Sequence, residues 1–209
     1  MRAWRACGQT RSAFDQEFNT DTDGIVPLWK LQIESPYREQ GVRYQASNPD
    51  FIRAAIETLP IQPEEFVYVD IGSGKGRTLL VASEYPFRRV IGVEFSPELN
   101  AVAADNIRKY RGSKRKCDDV SSVRADAANW EFPAENTMFF LYNPFGEDVL
   151  RRMLVNLETS LAGNDREIYM VYSHPIFAHL LDSSNFLDRI DAPIEAAVYR
   201  HVPPITAIQ

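Results

Sequence analysis

The chain has 209 residues, 44% of them hydrophobic and 25% charged, which is enough apolar material to fill one sizeable core. A formal charge of −6 and a pI near 5.2 argue against general binding to nucleic acid or to an anionic membrane surface. No apolar run approaches the ~20 residues of a membrane span, and the two cysteines, Cys7 and Cys117, lack zinc-ligand spacing and suit a reducing cytoplasm.

The first residues, MRAWRACGQTRSAFDQEF, are basic but carry no continuous apolar segment, so no secretory leader is expected. Residues 1–24 show little periodicity, end in the turn-rich TDTDG and read as a loosely packed lead-in. In NPDFIRAAIETLP, Phe51, Ala54, Ala55, Ile56 and Leu59 fall on helical spacing, with Asn48 placed to cap and Pro49 in the first turn. Pro60 and Pro63 end that helix. Residues 66–71 form a short β-rich run that breaks at glycines and gives way to a helix through about Glu84. A second strand spans 89–95, and Ser96-Pro97-Glu98 opens a helix with Leu99, Val102, Ala103, Asn106 and Ile107 on one side. The basic run 108–116 at its end could meet RNA or an acidic partner, but reads first as a solvated helix terminus, where cations suit the helix dipole.

Further strands are expected at 120–125, 137–142 and 167–172, with helices near 147–161 and 175–183. Residues 186–190 and 196–202 then pair across the turn DAPIEA. Strands that are continuous apolar runs alternating with helices predict an α/β fold. The expected architecture is a doubly wound, mostly parallel seven-stranded sheet with helices on both faces and an antiparallel strand near one edge. No repeat or interdomain linker divides the chain.

The stretch VDIGSGKGRT at 69–78 has three readings. A phosphate loop needs G-x-x-x-x-G-K-[ST], but aligning on Gly74-Lys75 puts Val69 at the first glycine and Gly76 at the hydroxyl position. A dinucleotide loop needs G-x-G-x-x-G, and from Gly72 the third glycine falls on Arg77. The pattern Asp-x-Gly-x-Gly-x-Gly is met by Asp70, Gly72, Gly74 and Gly76. Such glycines let a strand-to-helix turn approach a ligand where side chains would clash. Ser73 and Gly74 can offer backbone amides, and Glu94, closing the next strand, can accept both hydroxyls of a ribose. Lys75 and Arg77 are expected at the helix start, facing solvent or substrate, without a chemical role.

In these features the sequence resembles the class I S-adenosylmethionine-dependent methyltransferases, from about Tyr44 onward. VDIGSGKGR looks like their first motif, and Glu94 like their ribose-binding acid. Asp126 in VRADAANW looks like their adenine-amine acceptor, and Asn143-Pro144-Phe145 like their fourth motif. The resemblance implies S-adenosylmethionine as cofactor and Asp70, Gly72, Ser73, Gly74, Gly76, Glu94, Asp126 and Asn143 as its binding residues. It divides the chain into a lead-in and cofactor-covering segment, 1–43, and a methyltransferase domain, 44–209.

Candidates for the chemistry are Asn143, His174 and Tyr44. In relatives that modify planar nitrogens an Asn/Asp-Pro-Pro-aromatic motif hydrogen-bonds the amino group, whereas here a single proline follows Asn143. His174 closes YMVYSHP and can contact substrate, act as base or cap the next helix. Tyr37 and Tyr44, in SPYREQGVRYQASNPDF, are similar to the covering segment of seven-strand protein-lysine methyltransferases. That similarity leans the acceptor toward a protein lysine nitrogen; a small-molecule or nucleic-acid acceptor, or a non-catalytic scaffold, stays open. No metal is expected, and the oligomeric state is not legible.

Overall fold

The computed structural model describes residues 11–202, so Cys7 lies outside the described residues. The seven expected strands form one sheet: β3 (Val67–Ile71), β4 (Arg89–Glu94), β5 (Val120–Arg124), β6 (Thr137–Tyr142), β7 (Ile168–Ser173), β8 (Leu187–Ile190) and β9 (Ala196–His201). Their spatial order is β5-β4-β3-β6-β7-β9-β8. All pairings are parallel except those of β9, which runs antiparallel to both β7 and β8. A short antiparallel ribbon, β1 (Ile25–Val26) with β2 (Tyr44–Gln45), stands apart from this sheet.

Alternation along the strands separates two cores. Val67, Val69, Ile71, Phe139 and Leu141 face one side, where they meet Val149, Met153 and Leu157 of α5 (Glu147–Gly163) and Leu180 and Leu181 of α6 (Ala178–Asp182). Phe66, Tyr68, Met138 and Phe140 face the other, under α1 (Ala13–Phe18), α2 (Pro49–Glu57) and α3 (Arg77–Ala82). The fourth helix, α4 (Pro97–Lys109), leads from β4 to β5. Local chemistry sets the helix starts as expected. Asn48 caps α2 by accepting the Asp50 amide, with a proline in the first turn, and Ser96 caps α4 through the Leu99 amide.

The lead-in departs from expectation over its described part. Residues 11–24 are firmly packed, because Asp15 is buried and gathers hydrogen bonds from Thr20 Oγ1, Thr22 N, Thr22 Oγ1 and Asp23 N, all between 2.7 and 3.0 Å. Burial alone would raise the Asp15 pKa; the threonine hydroxyls outweigh it and hold the carboxyl below its ordinary value. Several cations of the basic run have partners within the chain. Arg108 and Lys109 pair with Asp105, while Arg111 and Arg115 donate to carbonyls at the helix end and in the following loop.

Candidate active site

From β3 the chain winds outward to β4 and β5, then returns to β6 on β3's other side. The connections at the carboxyl ends of β3 and β6 therefore part, which is where an open α/β sheet makes its crevice. A cavity of about 250 Å³ opens there. Its floor is the glycine loop, one wall comes from the ends of β4, β5, β6 and β7, and residues 31–47 form the roof. We call residues 20–47, which include the β1–β2 ribbon, the strap. The 43/44 boundary expected from sequence falls inside that ribbon, because Tyr44 pairs with Val26.

The loop needs glycine for a steric reason at two positions. Gly72 and Gly74 have φ of +81° and +54°, and a Cβ would drive into Pro144 at the first and into the Tyr44 ring at the second. The Gly74 amide donates to one oxygen of Glu94 at 2.8 Å, and the Ser96 amide donates to the other at 2.8 Å. Glu94 thus ties the glycine loop to the end of β4 and keeps acceptor capacity beyond these two amides. Asp70 accepts the Thr78 hydroxyl and also borders the cavity. Gly76 stands apart from the cavity wall: a Cβ there would come 3.1 Å from that of Ala103, so this glycine serves the approach of α4.

Lys75 and Arg77 depart most from expectation. Neither faces solvent; both are buried and hold the lead-in and strap, and Arg77 also borders the cavity. The Lys75 ammonium contacts Asp21 Oδ1 at 3.1 Å and the Asp23 carbonyl at 2.8 Å, and lies 5.7 Å from the centre of the Tyr44 ring. Arg77 donates to Thr22 Oγ1 at 2.8 Å, Ser12 Oγ at 3.1 Å and the Ser47 carbonyl at 3.4 Å. Its guanidinium also lies 3.8 Å from Asp15 and 3.5 Å from Asp23. Tyr44 enters as a wall rather than as an acid or base. Its hydroxyl is tied to the Thr22 carbonyl, and burial pushes its pKa far up.

Asn143 and His174 follow β6 and β7, side by side, with φ of 42° and 50°. Non-glycine residues rarely take this left-handed conformation, and two at adjacent strand ends mark a site where the surroundings hold strain. His174 meets the Tyr142 ring edge-on at 4.9 Å, and its Nδ1 lies 3.4 Å from Ser173 Oγ. It lines the cavity and does not cap α6, whose N-cap is Phe177. Asp126 also lines the cavity, with one oxygen accepting the Ala128 amide at 2.9 Å and the other the Ser35 hydroxyl.

No protein-family model matches the sequence, and no curated protein matches it. Solved structures do. A precorrin-6y C5,15-methyltransferase from Geobacter metallireducens aligns over 84% of this chain and 96% of its own, at 15% identity and a TM-score of 0.53. A predicted N6-adenine-specific DNA methylase from Listeria monocytogenes aligns over 76% of this chain at 12% identity and a TM-score of 0.54. This chain spans about half of that one, 52%. The 23S rRNA methyltransferase ErmE aligns over 78% of this chain and 71% of its own, at 14% identity and a TM-score of 0.52. The chain has the class I methyltransferase fold.

In this methyltransferase fold the residues around the cavity fit an adenosyl cofactor on grounds internal to the chain. Ser73 lines the cavity, while its Oγ, buried without a partner among the described residues, packs against Gly92 of β4. Glu94 retains acceptor capacity, and Val93, Phe95, Leu99 and Ala127 supply an apolar slot for a base. Phe95, Tyr142, Thr78 and Ser35 were not singled out from sequence. Tyr142 and Phe95 could have been found as the residues closing or following apolar strands, whereas Ser35 carries no local signal.

Burial raises the pKa of Asp70 from 3.8 to about 7, despite the Thr78 hydroxyl, with Glu94 adding repulsion. Burial likewise raises Glu94 from 4.5 to about 7 against its backbone donors. Between those limits the folded, ligand-free protein binds more protons than the unfolded chain. Its stability should therefore fall as pH rises from roughly 4 to 7 and level off above. Urea denaturation across that range checks this, and Asp70→Asn should flatten the slope. A cationic ligand in the cavity reverses the sign, since it favours the ionised carboxylates, so its affinity should rise through pH 7.

Proposed function

We propose that the chain is an S-adenosylmethionine-dependent methyltransferase. One observation carries the reading: the Asp70–Gly76 loop at the switch point is tied through the Gly74 amide to a buried Glu94 that lines the cavity. When bound, the cofactor supplies a methyl group on a sulfonium already activated for displacement. The loop and Glu94 would orient the nucleoside. Asp70, ionised, would face the cationic part of the cofactor. The strap, with the Tyr44 ring against Gly74, would keep water from the reacting atoms. A proton on the acceptor would pass to His174, which borders the cavity beside Tyr142.

A protein side-chain nitrogen such as lysine is the acceptor we favour. It is supported by the aromatic walls that Tyr37, Tyr142 and Phe145 bring to the cavity beside His174, which suit a flexible amine threaded to the methyl group. Calorimetry should give one-to-one binding of S-adenosylhomocysteine, and its absence would sink the cofactor reading. Incubating the protein and a radiolabelled donor with lysate, then separating protein, nucleic acid and small molecules, tests the acceptor. Label confined to the last two fractions refutes lysine, and no label in any fraction favours a non-catalytic scaffold.

A further inference from the structure

Among the charged residues that border the cavity, one has no partner within the protein. Asp70, Glu94 and Asp126 each accept hydrogen bonds from the chain, and Arg77 is engaged by the lead-in and strap. Arg43 borders the same cavity and is exposed. Its side chain makes no hydrogen bond or ion pair among the described residues, so it pairs with none of those three acids.

The chain holds Arg43 in place from both sides. The Val42 amide donates to the Pro144 carbonyl at 3.1 Å, just after β6, and Tyr44 pairs with Val26 and packs its ring on Gly74. Arg43 therefore stands between the turn that carries Asn143 and the glycine loop. A second exposed arginine, Arg152 of α5, lies 5.8 Å from the centre of the Tyr37 ring, which is another wall of the cavity. Most arginines of the described chain are engaged by other side chains or by carbonyls; those that are not are Arg38, Arg43, Arg152 and Arg200. The first three belong to one side of the molecule, since residues 38–40 pack on α5. Between Tyr37 and Ser47 the only acid is Glu39, in a chain whose formal charge is −6. The rim of the cavity is thus cationic on an acidic body.

Resting on the methyltransferase reading above, we propose that Arg43 binds a carboxylate of the acceptor, with Arg152 at Tyr37 extending the cationic rim outward, so that the methylated lysine belongs to an acidic peptide segment. A guanidinium fork matches a carboxylate through two parallel hydrogen bonds. Arg152 stands outside the cavity lining, where it meets an extended molecule arriving from solution and not an enclosed nucleoside. That placement assigns the rim to the acceptor. A nucleic-acid strand needs a track of cations along its phosphates, which a few arginines on a body of charge −6 do not supply.

The test uses the full chain saturated with S-adenosylhomocysteine, so that the cofactor reading is checked first and separately. Two capped tripeptides, Glu-Lys-Glu and Gln-Lys-Gln, present the same amine with and without carboxylates, and NMR titration gives their affinities. The wild type should bind the acidic one about fivefold more tightly, the upper range for an exposed ion pair, and added salt should shrink the preference. Arg43→Gln should bring the two peptides to nearly equal affinity with S-adenosylhomocysteine binding unchanged, and Arg152→Gln should remove part of the preference. Arg200→Gln, which deletes the same charge from β9, should leave it intact. An equal loss in Arg200→Gln would reduce the effect to net charge and overturns the proposal. Equal affinities in the wild type, binding of neither peptide, or tighter binding of a short oligouridylate also overturns it. So does an Arg43→Gln loss that falls on S-adenosylhomocysteine and spares the peptide preference, which would give the arginine to the cofactor. Failure of the wild type to bind S-adenosylhomocysteine overturns the methyltransferase reading itself.

Discussion

Arg77→Gln is expected to destabilise the protein by about 3 kcal/mol, the scale for removing one partner of a buried charged network. The guanidinium is 8% exposed and touches Ser12, Thr22 and Ser47, with Asp15 and Asp23 close by. Glutamine cannot span those positions and removes the positive charge that opposes two carboxylates. Urea denaturation gives the stability change. Limited trypsin digestion gives its location, with faster cleavage after Lys30, Arg38 and Arg43 of the strap than in the sheet. Arg77→Lys should recover only part of the loss, since one ammonium cannot reproduce a planar five-donor fork. Uniform cleavage throughout the chain would show that Arg77 supports the whole fold and not the strap in particular.

Glu94→Ala should weaken S-adenosylhomocysteine binding about 100-fold, roughly 2.7 kcal/mol. The substitution removes the acceptor proposed for the ribose and also strands the Gly74 and Ser96 amides in a buried place. Unpaired buried donors cost about 1–3 kcal/mol each, so the loop is expected to shift toward another partner and lose its shape. Glu94→Gln should lose less, about tenfold, because it keeps one acceptor oxygen and sets an NH2 group against a backbone N–H. Calorimetry on both variants checks the order, and equal affinities would mean that the carboxylate neither holds the loop nor meets the ligand.

Much of this arrangement was legible in the sequence. Asn48, Ser96 and the prolines that follow them act within three residues, so helix starts were readable from spacing alone. The strands alternate between two faces of a covered sheet and appear as apolar runs, which gave a mostly parallel α/β sheet with an antiparallel strand near one edge, while only the pairing shows that this strand is β9. Asp70, Gly72, Gly74 and Glu94 were legible as a set, because a loop that must approach a ligand closely needs alternate residues without side chains.

The roles of Lys75 and Arg77 were not. Their nearest letters place them at the start of a helix, where a cation usually meets water. Their actual partners, Asp21 and Thr22, are 54 and 55 residues away in the chain. The Tyr172–Asn143 contact joins residues 29 apart, one on β7 and one just after β6, so neither letter announces the other.

By itself, then, the sequence determined what depends on short range: periodicity, caps, glycine torsions, and through them the number of strands and their mostly parallel run. Tertiary structure alone decided which buried charges are matched and which polar atoms stay open. The GK pair in VDIGSGKGRT illustrates the division. Its glycine belongs to the cavity floor by local backbone geometry, while its lysine is drawn inward by acidic residues of the strap. Long-range partners settle a buried charge because desolvation must be offset by specific groups, and those come from wherever the fold brings them.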